Sequence, residues 1–390
     1  MPRNDPSHRD QFKSNAEKNV LRILHLVSVA DSQSIPLELA LSLRKREPGT
    51  VIAGFYAQGD HPVDHDRREV MILAAKGPFD IAAIARLRSL MASHSPDIVH
   101  LHHAVSAFWC ALVALTVRPV PILVKTEHND HRGQSWHQGA VNLILYPFLR
   151  AIVCNSDATL SSFSRIERWL AGRRALRIHN GLNLRQVRSK AARTMRKDHV
   201  IRMGHVGRLV SQKNQARMIK GLAIARAVTG RDLRLEIVGN GPLMDDLVRT
   251  ARAAGVANAV VFTGALTREA VYEKLGQWDA FVMPSKFEGF CNALIEAMAA
   301  GLPVAVSDID TLREVAGEGA LRFDPYDPQA IGAAMVALVG LPRRSTRFVE
   351  RYDMAHAVAR HVALYEALLA GRSPSVTARL PLVGKDVPGE

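Results

Sequence analysis

The chain has 390 residues, 47% hydrophobic and 23% charged, with a formal net charge of +14. That length and apolar fraction exclude a wholly disordered chain and a small disulfide-stapled scaffold, and predict two or three packed domains. The longest predominantly apolar run, residues 107–117, is much shorter than the ~20 residues of a spanning helix, so no transmembrane helix is expected.

Residues 1–18 read as a polar leader without periodicity or an apolar h-region, expected to be disordered. A buried strand is predicted over 20–27, followed by an amphipathic helix over 36–46. Further strands are expected at 50–56, 97–101, 121–126 and 151–154, with helices at 80–93 and 156–171. Near-continuous Val/Ile/Leu strands alternating with helices indicate a parallel sheet covered on both faces. The polar, basic stretch 183–199 is read as a linker after an N-terminal domain over 19–182.

The alternation then restarts. Strands are predicted at 201–206, 233–238, 260–263, 280–284, 303–307 and 320–323, with helices at 214–228, 243–254, 268–275 and 293–300. This is a second doubly wound α/β domain, over 200–345. A helical segment over 346–370 and a disordered Pro/Gly/Ser-rich tail over 371–390 complete the organisation. Two such domains are expected to hold a ligand in a cleft at their strand C-terminal edges.

The charge is unevenly placed. Between Arg165 and Lys197 there are 11 basic residues and one acid, Glu167. Such a run is a solvated linker face or a surface for an anionic partner, either nucleic acid or phospholipid headgroups. Only Trp169 lies inside it, which argues against base stacking and against a specific nucleic-acid partner. Cys110, Cys154 and Cys291 have no paired spacing and read as reduced thiols of a cytoplasmic protein.

Three constellations carry chemistry. In Val206-Gly-Arg-Leu-Val-Ser-Gln-Lys-Asn214, Gly207 ends a strand and Arg208 and Lys213 flank a helix N-terminus. That combination suits a diphosphate. Val238-Gly-Asn-Gly-Pro242, with Gly239 and Gly241, is a tight strand-to-helix turn. The third runs from Pro284 to Val304 and places Glu288 in a loop and Glu296 one to two turns into the helix beyond it. Carboxylates on either side of that helix start, near Asn292, suit the hydroxyls of one extended ligand, with a sugar at one end and a ribose at the other.

These motifs, with Phe-Thr-Gly(262–264) and Glu288 seven residues ahead of Glu296, resemble glycosyltransferase family 4. That family is retaining and has the GT-B architecture of two Rossmann-like domains. The likeness is strong from about Met203 to Pro325. It is looser over His94–His100, Thr126–Asn129, Asn155-Ser156 and Asn180-Gly181. The resemblance implies that Arg208 and Lys213 hold the diphosphate of a nucleotide-sugar and stabilise it as a leaving group. Glu296 would bind the ribose and Glu288 a sugar hydroxyl. The backbone through Gly289, Phe290, Cys291 and Asn292 would line the donor, Gly264 would lie near the nucleobase, and His128 would face the sugar.

No cofactor and no metal are expected, because no Asp-X-Asp motif lies between the domains and two cations are already in place. The implied activity is transfer of a hexose or N-acetylhexosamine, UDP-linked by preference, to a glycan or lipid-linked acceptor. The alternatives are a nucleotide-sugar epimerase and a non-catalytic binder of anionic ligands. One departure from the family is a glycine-free first loop, Val29–Pro36, whose side chains are expected to intrude where backbone usually meets the ligand.

Overall fold

The computed structural model describes residues 20–31, 34–56, 70–192, 199–343 and 346–374. The expected leader, positions 32–33 of the first loop, 193–198 of the linker and 375–390 of the tail lie outside the described residues. The chain forms two compact units, residues 1–125 and 126–390.

In the first unit, β1 (Ile23–Val27) pairs in parallel with β2 (Thr50–Tyr56) on one side and β4 (Ile98–Leu101) on the other; β3 (Val70–Ala75) extends beyond β2. Every residue of β1 and β4 is buried, as strands covered on both faces should be. Three helices cover them: α1 (Ile35–Arg46), α2 (Ile81–His94) and α3 (Ala104–Ala114). Ser34 and Asp80 cap α1 and α2 with side-chain oxygens. Within the first loop, Ala30 is fully buried and packs with Leu37, Ala40 and Ile52. Its side chain therefore points into the core and not toward a ligand, unlike the expectation for this loop. Three buried histidines, His25, His100 and His102, stack near the C-terminal ends of β1 and β4.

β5 (Ile122–Glu127) crosses the boundary between the units. Beyond it come α4 (Trp136–Leu145), β6 (Ala151–Cys154), α5 (Asp157–Ser161), α6 (Arg165–Ala171), β7 (Ala175–Arg177) and α7 (Leu184–Lys190). The strand order of this first sheet is β3-β2-β1-β4-β5-β6-β7. The helix expected over 156–171 is two helices, because Ser164 and Glu167 form a capping box that restarts the chain as α6. The expected linker contains α7, whose Leu184 and Val187 are fully buried, so this stretch does have a small apolar face.

The remaining elements are β8 (Ile201–Val206), α8 (Gln215–Thr229), β9 (Leu233–Val238), α9 (Met244–Ala253), β10 (Val260–Gly264), α10 (Arg268–Gln277), β11 (Ala280–Met283), α11 (Asn292–Ala299), β12 (Val304–Ser307), α12 (Asp310–Ala316), β13 (Leu321–Phe323), α13 (Pro328–Leu338) and α14 (Met354–Leu369). The second sheet runs β10-β9-β8-β11-β12-β13 in parallel. Met203, Leu235, Ile237 and Val282 of the strands and Leu222 and Met335 of the helices belong to its core. Both sheets have the Rossmann order, which reverses direction between β1 and β4 and again between β8 and β11. Ligands of open α/β sheets bind at such switch points, beyond the strand C-termini.

Candidate active site

The second switch point is framed by the loops after β8 and β11, the two loops that carry the strongest sequence signals. They are joined along their length. The Lys286 N–H donates to the Gln212 carbonyl (2.9 Å), Gln212 Nε2 donates to the Phe287 carbonyl (2.8 Å), and Lys286 Nζ donates to Ser211 Oγ (3.1 Å). Asn214 secures them from beneath, its Nδ2 donating to the carbonyls of Pro284 (3.0 Å) and Pro325 (2.7 Å). The helices that leave these loops, α8 and α11, begin at Asn214 and Cys291. Both of these residues have left-handed backbone (φ 59° and 70°), and neither helix has a side-chain cap. Uncapped N–H groups and the positive helix ends make both termini suited to anions.

Lys213 Nζ lies 2.5 Å from Glu288 Oε1, with the two side chains only 18% and 7% exposed. Burial works against the ammonium, but the Glu288 carboxylate outweighs it and holds the lysine above its ordinary range. Arg208 is exposed beside this pair in sequence, and its carbonyl is fixed by Gln215 Nε2 at 2.9 Å. Glu296 is buried within α11, and Tyr272 donates its hydroxyl proton to Glu296 Oε1 at 3.4 Å. Behind the loop, His205 is fully buried with Nδ1 3.0 Å from the Val282 carbonyl. Desolvation pushes it down to about 4, so it is neutral at physiological pH.

The glycines of the turns serve close packing. A Cβ on Gly239 would stand 2.2 Å from the Gly207 carbonyl oxygen, and one on Gly241 would stand 2.5 Å from that of Leu209. The Gly239 N–H in turn donates to the Gly264 carbonyl at 2.8 Å. The three loops after β8, β9 and β10 are therefore stacked backbone on backbone.

Gly289 plays the same part against residue 128. Its Cβ would lie 2.0 Å from the His128 carbonyl oxygen. The Gly289 carbonyl accepts from Ser156 Oγ (2.7 Å) and Thr159 Oγ1 (3.2 Å), and the His128 carbonyl accepts from Asn155 Nδ2 (3.0 Å). The structure thus places the His128 backbone against the loop that carries Glu288. Phe290 is different: its ring turns away into a buried cluster with His179 and Tyr352, leaving only its backbone for a ligand. Cys291 is buried, and desolvation pushes its thiol up to about 12. At the start of α11, Asn292 Oδ1 is a buried acceptor with no hydrogen-bond partner among the described residues.

A cavity of about 510 Å³ opens beside Glu288, with Asp130, Arg132, Lys286, Asp308 and Asp310 in its wall. Residues 308–310 are an Asp-X-Asp triplet inside the C-terminal domain, which the sequence reading did not weigh. Both carboxylates pair with Arg313, at 2.5 and 3.3 Å.

Sequence reasoning also missed a buried charged network under residues 126–131. His131 Nδ1 lies 2.7 Å from Glu167 Oε1, and Nε2 stands 3.7 Å from Glu127, an ion-pair distance. Burial disfavours the imidazolium, yet the two glutamates prevail and raise it to about 9. Tyr146 donates to Glu127 at 3.1 Å. Only the spacing of Glu127 and His131 hinted at this; Glu167 comes from a separate helix.

Two Rossmann-ordered α/β domains, one with a lysine–glutamate pair between uncapped helices at its switch point, define a protein of the GT-B class. The family described as Glycosyltransferase Family 4 matches residues 37–186, and that described as Glycosyl transferases group 1 matches residues 189–352. The chain belongs to the family-4 glycosyltransferases. It is similar to EpsF of Bacillus subtilis, 28% identical over 364 residues that cover 85% of this chain and 91% of that one. It also resembles the GDP-mannose-dependent alpha-mannosyltransferase of Mycolicibacterium smegmatis, 28% identical over 306 residues, covering 74% and 78%. Among solved structures, Anabaena HepE in complex with UDP and glucose superposes with a TM-score of 0.73 at 17% identity, covering 90% of this chain and 100% of that one. Sucrose-phosphate synthase from Thermosynechococcus elongatus gives 0.71 at 18%, with the same coverage. At such identities the likeness is one of fold. Among the described residues no helix is long and apolar enough to cross a membrane.

Proposed function

We propose that this glycosyltransferase moves a hexose or N-acetylhexosamine from a nucleotide-sugar to a glycan or lipid-linked glycan during cell-surface polysaccharide or lipopolysaccharide synthesis, with retention of anomeric configuration. The observation that carries the donor assignment is the Lys213–Glu288 pair set between the uncapped starts of α8 and α11. Arg208, Lys213 and the helix N-termini stabilise the charge that grows on the departing diphosphate. Glu288 holds a sugar hydroxyl and Glu296 the ribose. Gly207, Gly239, Gly241 and Gly264 shape the base-side loops, the backbone of Gly289 to Asn292 lines the sugar and phosphates, and His128 faces the sugar.

In the step itself the bond from the anomeric carbon to the phosphate oxygen breaks. A bond to the acceptor hydroxyl oxygen forms on the same face, and the acceptor's proton passes to the departing phosphate. Arginine, lysine and helix dipoles supply the positive charge, so this reading needs no divalent metal. UDP is the preferred carrier; HepE is described with UDP and glucose, whereas the M. smegmatis relative is named for GDP-mannose.

Attachment to the cytoplasmic membrane face is part of the same proposal. Its support is a surface on α4, the turn after it and α6. Trp136 (76%), Ile144 (55%), Phe148 (49%), Ile166 (59%) and Trp169 (79%) are exposed there. Arg150, Arg165, Arg168 and Arg173 are exposed around them, and Glu167, the acid of these helices, is buried. Interfacial tryptophans with flanking arginines match an anionic lipid surface. Incubation with UDP- and GDP-sugars and lipid-linked acceptors, with and without EDTA, tests the reaction. The expected product is a glycoside of unchanged anomeric configuration, formed equally in EDTA. An inverted product, or a C2 epimer without transfer, contradicts it.

A further inference from the structure

A second cavity, of about 150 Å³, lies away from the switch point and is lined by Arg177, His179, Arg351, His356, Ala357 and Arg360. Five of its six lining residues are arginine or histidine, and none is a carboxylate. Arg177 follows from β7, His179 from the loop after it, and the other four from the turn before α14 and its first two turns.

We propose that this cavity is a binding site for a phosphate-class anion, separate from the nucleotide-sugar site. Three observations carry the proposal. First, Arg360 has no acidic partner among the described residues; the charge it feels is that of Arg177, and burial together with this repulsion lowers it. Second, Nδ1 of His356 is buried without a hydrogen-bond partner among the described residues, although a buried polar atom is costly to leave unpaired. Third, the other side chains of the wall are held in place by contacts that leave the cavity open. Arg177 is anchored by Asp157, His179 Nε2 lies 2.9 Å from Glu314, and Arg351 stacks over the Phe348 ring at 3.8 Å.

A tetrahedral oxyanion would relieve the repulsion between Arg177 and Arg360, present acceptors to both guanidiniums and accept from His356 Nδ1–H. A single phosphate group fits the volume, whether free in solution or carried on a lipid headgroup. The site also has a route to the active loop, because the His179 ring stacks on Phe290 at 5.5 Å, one residue after Gly289.

The test is thermal unfolding of the whole chain in chloride against inorganic phosphate at constant ionic strength, for wild type, Arg360→Gln and Arg208→Ala. Phosphate should raise the wild-type Tm saturably, by about 3–5 °C at a hundred times its Kd. Arg208→Ala should keep that response, since its charge belongs to the donor site, and Arg360→Gln should lose it. In chloride alone Arg360→Gln should unfold no earlier than wild type, because the substitution removes a repulsion; a merely structural arginine would lower Tm there. An absent or unsaturable wild-type response overturns the proposal. So does a response retained in Arg360→Gln, or one lost in Arg208→Ala. Sedimentation with phosphatidic acid or phosphatidylcholine vesicles identifies the source. Arg360-dependent binding to the first marks a lipid phosphate, and response to soluble phosphate alone marks the free ion.

Discussion

Replacing Glu288 by Gln removes one charge from a pair that is 2.5 Å apart and largely shielded from water. Breaking a buried pair from one side costs about 3–5 kcal/mol, because the remaining charge stays desolvated. Gln keeps a carbonyl acceptor for the ammonium, so the expected loss is near the low end, about 3 kcal/mol. The pH dependence gives the sharper signature. In the wild type Lys213 is held above 10.5, so its contribution is fully present below that pH and declines only as pH rises through the folded-state value. In Glu288→Gln burial is left as the leading influence and draws the lysine below 10.5. Relative to the wild type, the variant should therefore gain stability as pH climbs from 7 toward 10. Urea denaturation followed by the fluorescence of buried Trp278 measures both. The double variant Lys213→Met/Glu288→Gln should recover most of the loss. A Glu288→Gln cost below about 1 kcal/mol, or strict additivity in the double variant, would refute the reasoning.

Three further outcomes are expected. Gly289→Ala places a methyl 2.0 Å from the His128 carbonyl, so it should destabilise the chain by about 1–3 kcal/mol and reduce transfer; urea titration and product assay check both. His131 is raised from 6.5 to about 9, so its stabilising contribution is intact below pH 6.5 and lost as pH rises toward 9. His131→Asn should flatten that part of the stability–pH curve. The pair Trp136→Ala/Trp169→Ala should lose sedimentation with anionic vesicles while keeping nucleotide binding. Equal sedimentation of the two proteins would remove this surface from the membrane reading.

The strand pattern of the second domain was legible because its strands are short, apolar and separated by amphipathic helices of ordinary length. Strands β8 and β9 fall where the sequence alone put them. What escaped lacks a local signature. β7 has three residues, and α13 (Pro328–Leu338) is too uniformly apolar and small to show a face. The break between α5 and α6 was written in Ser164 and Glu167 but hidden by a helical pattern on either side.

In the site, residue types and spacing marked Lys213 in one loop and Glu288 with Glu296 in another, and the resemblance to family 4 assigned all three to one donor. They did not show that Lys213 and Glu288 neutralise each other, since that depends on two loops 75 positions apart being hydrogen-bonded together. Gly239 read as a turn glycine, whereas its tightest constraint is the carbonyl of Gly207. Phe290 was read for its backbone, and the sequence did not show that its side chain serves the aromatic packing with Tyr352. The anion cavity has no linear motif, because Arg177 and Arg360 meet only when α14 packs near β7.

The most direct measurement is a thermal-shift panel of the wild-type chain with UDP, GDP and ADP, beside Arg208→Ala and Glu296→Ala. At a hundred times its Kd a nucleotide stabilises the native state by about 2.7 kcal/mol, an easily read shift. The account predicts that UDP shifts the wild type most and that both variants lose the response. A folded protein that answers to no nucleotide, or variants that respond as the wild type does, would contradict a donor site at the β8–β11 switch point.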